Sequence, residues 1–531
     1  TLSTPGRVYK DLIIIGARTP DFYGAPPGYI RAYNCQTGNL IWTFHTIPHP
    51  GEMGYESWPP DAYKYAGGVN CWAGLSIDSK RGMVFLALGS PSYDYYGADR
   101  KGKNLFGNCV LALDAATGNY KWHFQTVHHD LWDYDLPSPP NLVTLNHNGK
   151  QIDAVAQVTK HGFVFVLNRD NGEPIYPVEE RKVPSSNIPG EETWPTQPFP
   201  VKPKAFVKQS MTEDDLNHYS DSNYMAILEK FRSVRYEGLF TPPDLKGTLS
   251  LPATRGGANW GGAAYDPSTT HLYIRGNNLP EIQTIVDVDK HFAARDNSIF
   301  ESGRVVYMKH CSSCHGQDKK SIAPTIPSVL NLKDRMDEKM AIKKIRMGGG
   351  MMSGYKGVIT DDEEKAIIAF LFDKKGGVVN NEIKDKKVEN GIRYGNITGY
   401  QTWSDPSGNP AMKGPWCTLN ALNLSTGDYD WQIPLGNDEK LQKAGEPITG
   451  LLGRSGPMVT AGGLVFISGA VDKKLWAFDK STGKLVWETV LPEANNANVC
   501  SYHIKGKQYI ALSVGGSKEE PSGSIMTFAL P

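Results

Sequence analysis

The chain has 531 residues, with 56 basic and 56 acidic side chains that cancel to a formal net charge of zero. That balance gives no electrostatic case for nucleic acid or an anionic membrane surface as partner, and no stretch approaches the eighteen apolar residues that would span a bilayer. The 55 Gly and 36 Pro, with 25 Tyr and 12 Trp, suit an all-β fold dense in turns.

From the N-terminus, TLSTPGRVYKDLIIIG lacks a charged n-region, an apolar h-region and a small-residue cleavage site, and enters a strand-like run at Leu12–Ile15, so it reads as the start of a mature or shortened chain. A repeat follows. AYNCQTGNLIW (32–42), ALDAATGNYKW (112–122), ALNLSTGDYDW (421–431) and AFDKSTGKLVW (477–487) share Ala, a spacer, Asp or Asn, Thr-Gly, and a Trp four residues after the Gly. A degenerate copy, VLNRDNGEPIY, covers 166–176. Each copy predicts a strand, a tight turn with Gly at positive φ, and a second strand whose Trp packs on a neighbour. One such unit cannot bury its own apolar face, so the repeat implies stacking, and the expected fold is a β-propeller.

Between the second and third copies lies WHFQTVHHDLWDYDLPSPPNLV (122–143), where His128, His129, Asp130, Asp133 and Asp135 crowd around Trp132. Clustered His and Asp between aromatics in a connecting loop mark a candidate site, while a turn whose Asp side chains hold backbone amides is the plain alternative. His128 and His129 stay open between facing a substrate and holding the loop. Trp260 and Trp416 read as blade packing.

From about 285 to 395 the repeat is interrupted. NSIFESGRVVYMKHCSSCHG places Ile299, Val305, Val306 and Met308 at helical spacing and leads into Cys311-Ser-Ser-Cys314-His315. Cys-x-x-Cys-His supplies two thiols for thioether bonds to a porphyrin and a His as proximal iron ligand. Downstream, IRMGGGMMSGY offers Met347, Met351 and Met352 on a Gly-rich loop, with Met352 the expected axial ligand, Met351 the runner-up and Met347 a packing residue. TDDEEKAIIAFLFDKK then predicts a helix capped by Thr360 and Glu363, with Ala366, Ile367, Phe370 and Leu371 on one face. Helix, haem motif, Met loop and helix make an inserted all-α cytochrome c domain. No second ligand pair supports zinc, and no βαβ pattern supports a thioredoxin-like dithiol. Covalent haem c needs an oxidising compartment for its attachment, which points to the periplasm. Outside the motif, Cys35, Cys71, Cys109, Cys417 and Cys500 cannot be paired from sequence and read mostly as buried small apolar residues, with Cys71 beside Trp72 the exception of interest.

The repeat, FQTVHHDLWDYDLP, AVAQVTKHGFVFVLNRDNGEP, WPTQPFP, EGLFTPPDLKGTL, GGANWGGAAYDP and GPMVTAGGLVFISGAVDKKLWAFDKSTGKLVW together resemble the quinoprotein dehydrogenases that use pyrroloquinoline quinone (PQQ). Within that family the likeness is to the membrane-bound glucose dehydrogenase type rather than to methanol dehydrogenase. It covers nearly all of the chain outside 285–395. The embedded cytochrome departs from the glucose enzyme's plan, and quinohaemoprotein alcohol dehydrogenases carry theirs at the C-terminus.

The resemblance implies roles. Asp133 matches the catalytic carboxylate, which also lies on a bound calcium ion. Lys160 matches a basic residue on the quinone oxygens, and Trp72, in NCWAGLS, the aromatic floor beneath PQQ. Asn277 matches an amide contact to the cofactor, with Asn278 the alternative register. Ser90, in LGSPS, falls where alcohol-oxidising members have a calcium-binding Asn, and Ser92 is a nearby substitute; a hydroxyl is a weaker calcium ligand than an amide carbonyl. The family's propeller has eight blades, whereas five repeat signatures occur here, so its first blades are expected upstream of residue 1. The expected division is propeller at 1–284, cytochrome at 285–395 and the final blades at 396–531. The activity implied is oxidation of a C–OH group of a sugar or polyol, with electrons passing from PQQ to haem c and on to an external cytochrome or quinone. Periplasmic location, with membrane association through an upstream segment, goes with it. Alternatives are a quinate-like hydroxy acid or a simple alcohol as substrate, or a non-catalytic propeller scaffold carrying a relay cytochrome, as in the similar outer-membrane assembly lipoproteins.

Overall fold

A computed structural model describes residues 5–291, 293, 295–321, 326–349, 352, 354–377, 394–469, 471–516 and 522–530, with the side chain of residue 313 excluded. Met351 lies outside the described residues.

Among the described residues, six antiparallel up-and-down sheets of three or four strands follow one another along the chain. The first comprises Arg7–Tyr9, Leu12–Ile15, Ile30–Asn34 and Leu40–Phe44, and the second Leu75–Asp78, Met83–Ala87, Cys109–Asp114 and Tyr120–Gln125. Asn141–His147, Lys150–Val158 and Val164–Asn168 form the third. The fourth joins Ala263–Asp266 and His271–Asn277 to Cys417–Asn423 and Asp428–Pro434. Met458–Val459, Leu464–Ser468, Lys474–Asp479 and Leu485–Val490 make the fifth, and Cys500–Ile504, Lys507–Val514 and Ser524–Phe528 the sixth. Through the first five sheets, the first strand of each touches the first strand of the next, as the inner strands of a propeller do.

The core lies between sheets rather than within one. Ile14 and Ala32 of the first sheet pack with Leu86 and Leu111 of the second, Phe85 and Trp122 of the second with Val155 and Phe165 of the third, and Val164 of the third with Leu272 and Leu422 of the fourth. Tyr273 and Leu419 then meet Ile467 and Trp476 of the fifth sheet, and Leu475 meets Leu512 and Val514 of the sixth. Sheets covered on both faces need apolar residues in succession, which is why Met83–Ala87 is buried throughout.

The repeat has a physical role at these interfaces. In each turn the Asp or Asn accepts the next backbone N–H groups: Asp114 from Ala116 and Thr117, and Asp479 from Ser481 and Thr482. The aromatic at the end of each repeat lies on the turn glycine of the following one. A Cβ on Gly118 would come within 2.6 Å of the Trp42 ring, one on Gly172 within 2.5 Å of Trp122, and one on Gly483 within 2.8 Å of Trp431. In the degenerate copy Tyr176 stands in, 3.1 Å from a Cβ on Gly427. Each glycine therefore serves twice, taking positive φ and leaving room for an indole.

The fourth sheet is split by the longest excursion. His271–Asn277 and Cys417–Asn423 are hydrogen-bonded neighbours, so residues 278–416 leave and return between two central strands. Within it, Ile285–Asp287 pairs with Tyr394–Asn396 as an antiparallel stem, and beyond the stem come the helices Ile299–His310, Glu338–Met347 and Asp361–Leu371. Thr360 and Glu363 cap the last helix reciprocally. The first and last helices cross at Gly303, where a Cβ would fall 1.9 Å from the Ala366 carbonyl oxygen. Val306, Tyr307, Ile367 and Phe370 fill the core between them. Among the described residues, no helix is long and apolar enough to cross a membrane.

Candidate active site

The loop after the second sheet is tied around Asp130. Its carboxylate accepts the N–H of Trp132 and of Tyr134, each at 2.8 Å, and the Asn108 amide at 2.8 Å. Trp132 and Tyr134 are fully buried and anchored at their far ends, Trp132 by Nε1–H to the Thr241 carbonyl and Tyr134 by O–H to the Pro252 carbonyl, both at 2.8 Å. Between these anchors Asp133 is held at φ 57°, a left-handed conformation uncommon for a residue other than glycine. Asp133 and Asp135 then reach one cation. The Lys160 ammonium donates to Asp133 Oδ1 at 2.8 Å and to Asp135 Oδ2 at 2.9 Å, all three side chains being largely buried.

Trp72 completes this arrangement. Its Nε1–H donates to Asp135 Oδ2 at 3.1 Å, and Lys160 Nζ lies 5.8 Å from its ring centre. Asp135 also accepts the Ser90 N–H at 2.6 Å. The two carboxyls are driven apart electrostatically. Burial, with Asp135 and Asp21 nearby, pushes Asp133 well above the usual carboxylate range against the pull of Lys160. Burial also opposes ionisation of Asp135, but Lys160 and the Ser90 N–H outweigh it and hold Asp135 below that range. Lys160, although buried, is kept charged by the same two partners. A pair of acids split in this way sets one group with raised proton affinity beside one permanent anion.

Two acids that sequence reading did not single out join the cluster. Asp21, from the loop after Leu12–Ile15, is solvent-exposed at its own surface, and the surrounding protein and Asp135 raise it to about 6, with Lys160 and Arg18 opposing. Asp94 is only 2% exposed, and its Oδ2 has no hydrogen-bond partner. Burial and the charges of Asp21, Asp133 and Asp135 keep it protonated well beyond the ordinary range. The neighbouring Tyr95 hydroxyl is likewise buried without a partner. Only a Pro-Asp step in RTPDFYG and an Asp among tyrosines in PSYDYY marked these residues, and neither pattern carries distance information.

The other residues singled out in sequence are placed as follows. The Ser90 hydroxyl donates to Asp130 Oδ2 at 2.5 Å, and Ser92 donates to the Pro20 carbonyl at 3.1 Å. Asn277 is fully buried and donates to the Gly453 carbonyl at 3.1 Å, while Asn278 donates to the Pro415 carbonyl at 3.0 Å. The histidines hold the loop: His128 bonds Gln125 and Glu180, and His129 bonds the Gly102 carbonyl and Glu191. Trp416 is buried and donates to the Met412 carbonyl at 2.7 Å, and Trp260 carries Arg454 over its ring. Cys71, Cys109 and Cys417 are buried, whereas Cys35 and Cys500 are exposed.

In the insertion, Cys311, Cys314 and His315 share one turn after the Ile299–His310 helix. His315 Nδ1 lies 2.9 Å from the Pro327 carbonyl oxygen, which can only accept, so Nδ1 carries the hydrogen and Nε2 keeps its lone pair. Met352 is half-buried against the helical core, and Met347 is 66% exposed. These residues fit a covalently attached haem. Trp72 and Lys160, with the orphaned Asp94 and Tyr95 atoms nearby, fit a flat, oxygen-rich cofactor. A calcium site does not emerge in the same way: among the described residues, no three His, Cys, Asp or Glu side chains converge on a cation position, and the Ser90 hydroxyl is engaged by Asp130.

A propeller whose connecting loops bring a Lys-bridged acid pair beside an indole, with a haem motif in one blade's excursion, accords with a quinoprotein of the PQQ class. The family model described as the β-propeller domain of PQQ glucose/ethanol/alcohol dehydrogenases matches residues 1–321 and 351–510, and the chain belongs to that family. Residues 299–371 match the model for the cbb3-type cytochrome c oxidase subunit III. The chain is 30% identical to the glycerol dehydrogenase large subunit of Gluconobacter oxydans (strain 621H), over 100% of its own length and 63% of the relative's. Identity is 31% to the quinate/shikimate dehydrogenase (quinone) of Acinetobacter baylyi, covering 98% and 56%, and 27% to the quinoprotein glucose dehydrogenase of Escherichia coli (strain K12), also covering 98% and 56%. It thus spans somewhat over half the length of these curated relatives, and their substrates differ. The quinohemoprotein alcohol dehydrogenase of Comamonas testosteroni shares the fold, with a TM-score of 0.56 at 19% identity over 99% of this chain and 59% of that one.

Proposed function

We propose that this chain is the core of a PQQ-dependent dehydrogenase that oxidises a C–OH group of a neutral polyol or sugar, relaying electrons through haem c to an external one-electron carrier. The observation that carries this reading is the Asp133–Lys160–Asp135 bridge beside Trp72. Bound PQQ would rest against Trp72 with its oxygens toward Lys160, and it would supply the hydride acceptor. Asp133 takes the hydroxyl proton, for which its raised proton affinity suits it. As Asp133 becomes neutral, the Lys160 ammonium stays fixed by Asp135 and turns its field toward negative charge developing above Trp72. Asp135 therefore acts as the anchor and Asp133 as the base. Haem held by Cys311, Cys314, His315 and Met352 would supply the one-electron acceptor. Calcium, implied by the family resemblance, enters no step of this mechanism.

Substrate class follows from charge. Asp135 is held ionised and balances the charge of Lys160, and Asp21, raised only to about 6, is ionised at neutral pH, so an anionic substrate would meet repulsion that a polyol does not. That favours a polyol or sugar over a hydroxy acid such as quinate, and the likeness to a glycerol dehydrogenase accords with it. The oxidising compartment that covalent haem attachment needs supports a periplasmic location. The test is the absorption spectrum of PQQ-reconstituted protein before and after glycerol, glucose, quinate and ethanol in turn. Ferrous haem bands with a neutral polyol or sugar, absent in Asp133→Asn, are expected. Reduction by quinate alone would overturn the substrate class, and protein that binds no PQQ would favour the scaffold reading.

A further inference from the structure

The loop after Leu12–Ile15 borders both centres. On one side its Asp21 belongs to the acid cluster around Lys160, and the loop is fixed there by Ser92 Oγ–H on the Pro20 carbonyl at 3.1 Å and the Asn70 amide on Thr19 Oγ1 at 2.7 Å. On the other side the next residue, Phe22, faces the insertion. Its ring stacks on Tyr355 with centroids 4.8 Å apart and planes 11° from parallel, and meets the His310 ring edge-on at 5.9 Å. The Tyr355 O–H donates to the His310 carbonyl at 2.6 Å, so the second ring is bonded to the residue immediately before Cys311. A stacked aromatic pair thus joins a residue adjacent to the pocket with one adjacent to the haem motif, across parts of the chain more than 300 residues apart.

We infer that the Phe22–Tyr355 stack is the contact through which electrons leave the pocket for the haem. The inference rests on the relay proposed above. Oxidation of one alcohol to a carbonyl releases two electrons and two protons to the bound quinone. Each electron then reduces one ferric haem to ferrous, and an external one-electron oxidant, a cytochrome or quinone, returns it to ferric before the second transfer. The protons leave to solvent as the quinone is reoxidised. Two rings in van der Waals contact provide an aromatic span between the two regions. A second group, with Tyr23 stacked on Tyr93 at 4.9 Å and bonded to the Tyr394 carbonyl, leads to the stem of the insertion and not to the haem motif.

The experiment is anaerobic rapid mixing of holoprotein with glycerol, or whichever substrate the spectral screen identifies, following quinone bleaching and the ferrous haem band separately. Dye reduction at the quinone and the haem midpoint potential are measured on the same samples. Phe22→Leu and Tyr355→Leu should each slow haem reduction about tenfold, leaving quinone bleaching, dye reduction and midpoint potential at wild-type values. Tyr355→Phe, which keeps the ring and loses the bond to His310, should restore the rate, and Tyr23→Leu should not lower it. Haem reduction at the wild-type rate in Phe22→Leu would overturn the assignment alone, as would a slowing matched by a shifted haem potential. Ferric haem persisting in the wild-type chain after the quinone is reduced would overturn the assignment together with the relay.

Discussion

The pocket and the haem centre are built in opposite ways. The haem centre is nearly contiguous: Cys311, Cys314 and His315 lie on one turn, and the orienting partner of His315, the Pro327 carbonyl, is twelve residues away. The pocket draws Asp21, Trp72, Asp94, Asp133 and Lys160 from separate segments, and no two of them come from the same turn. Covalent attachment demands fixed local spacing, because two thioethers and an iron ligand must meet one rigid porphyrin. Proton and hydride transfer demand converging charges, which any segment can deliver once the blades have stacked. The haem centre should therefore fail with its own helices, and the pocket with the loops that bring its parts together.

The largest effect expected comes from His315→Ala, which removes the proximal iron ligand. The ferrous low-spin spectrum should be lost, while dye reduction at the quinone stays within about twofold, since the dye takes electrons before they reach the haem. Dye reduction lost in parallel would break the separation of the two centres. Asp133→Asn attacks the other side. It keeps shape but removes the base, and dye-linked kcat should fall by about 10²–10⁴ with the haem spectrum intact. In the wild-type chain the carboxylate is the working form, and its pKa is raised by burial and neighbouring acids. Activity is then full above that pKa and declines on acidification through it, so a rate that rises on acidification would exclude Asp133 as base.

Gly303→Ala sharpens the comparison at the level of packing. The new methyl would overlap the Ala366 carbonyl, forcing the first and last helices apart. Haem incorporation should fall severalfold, with the propeller's unfolding transition unchanged. The smallest effect concerns His161, next to Lys160. It is fully buried, neither ring nitrogen has a hydrogen-bond partner, and it packs against Tyr134, Phe163 and Phe240. Burial lowers its pKa to about 3, so it is neutral and behaves as one more aromatic ring. His161→Phe should stabilise by about 1 kcal/mol in denaturant titration, since an unsatisfied buried polar group is destabilising. A loss of stability would reveal a bond to the imidazole.

Much was legible in the sequence because the signals were periodic or contiguous. The Thr-Gly to Trp spacing repeats because an aromatic ring covers the turn glycine of the next sheet at four successive interfaces, Trp42 on Gly118, Trp122 on Gly172, Tyr176 on Gly427 and Trp431 on Gly483. Cys-x-x-Cys-His and the Thr360–Glu363 cap are equally local. In the HHDLWDYD stretch the acids were visible, but their division of labour was not. Asp130 ties the loop and Asp133 and Asp135 share Lys160, while His128 and His129, in the same cluster, turn out to be loop braces.

The sequence by itself thus determined the propeller and the helical insertion with its Cys-x-x-Cys-His motif, each through short-range patterns, whereas Asp133 and Lys160 were singled out through the family resemblance. Only the tertiary structure decided that Asp21 and Asp94 join the pocket, that the insertion opens between two paired strands of one blade, and that Phe22 stacks on Tyr355. Those relations depend on how stacked sheets bring distant loops together, and a linear pattern carries no record of distances that arise only when the blades pack.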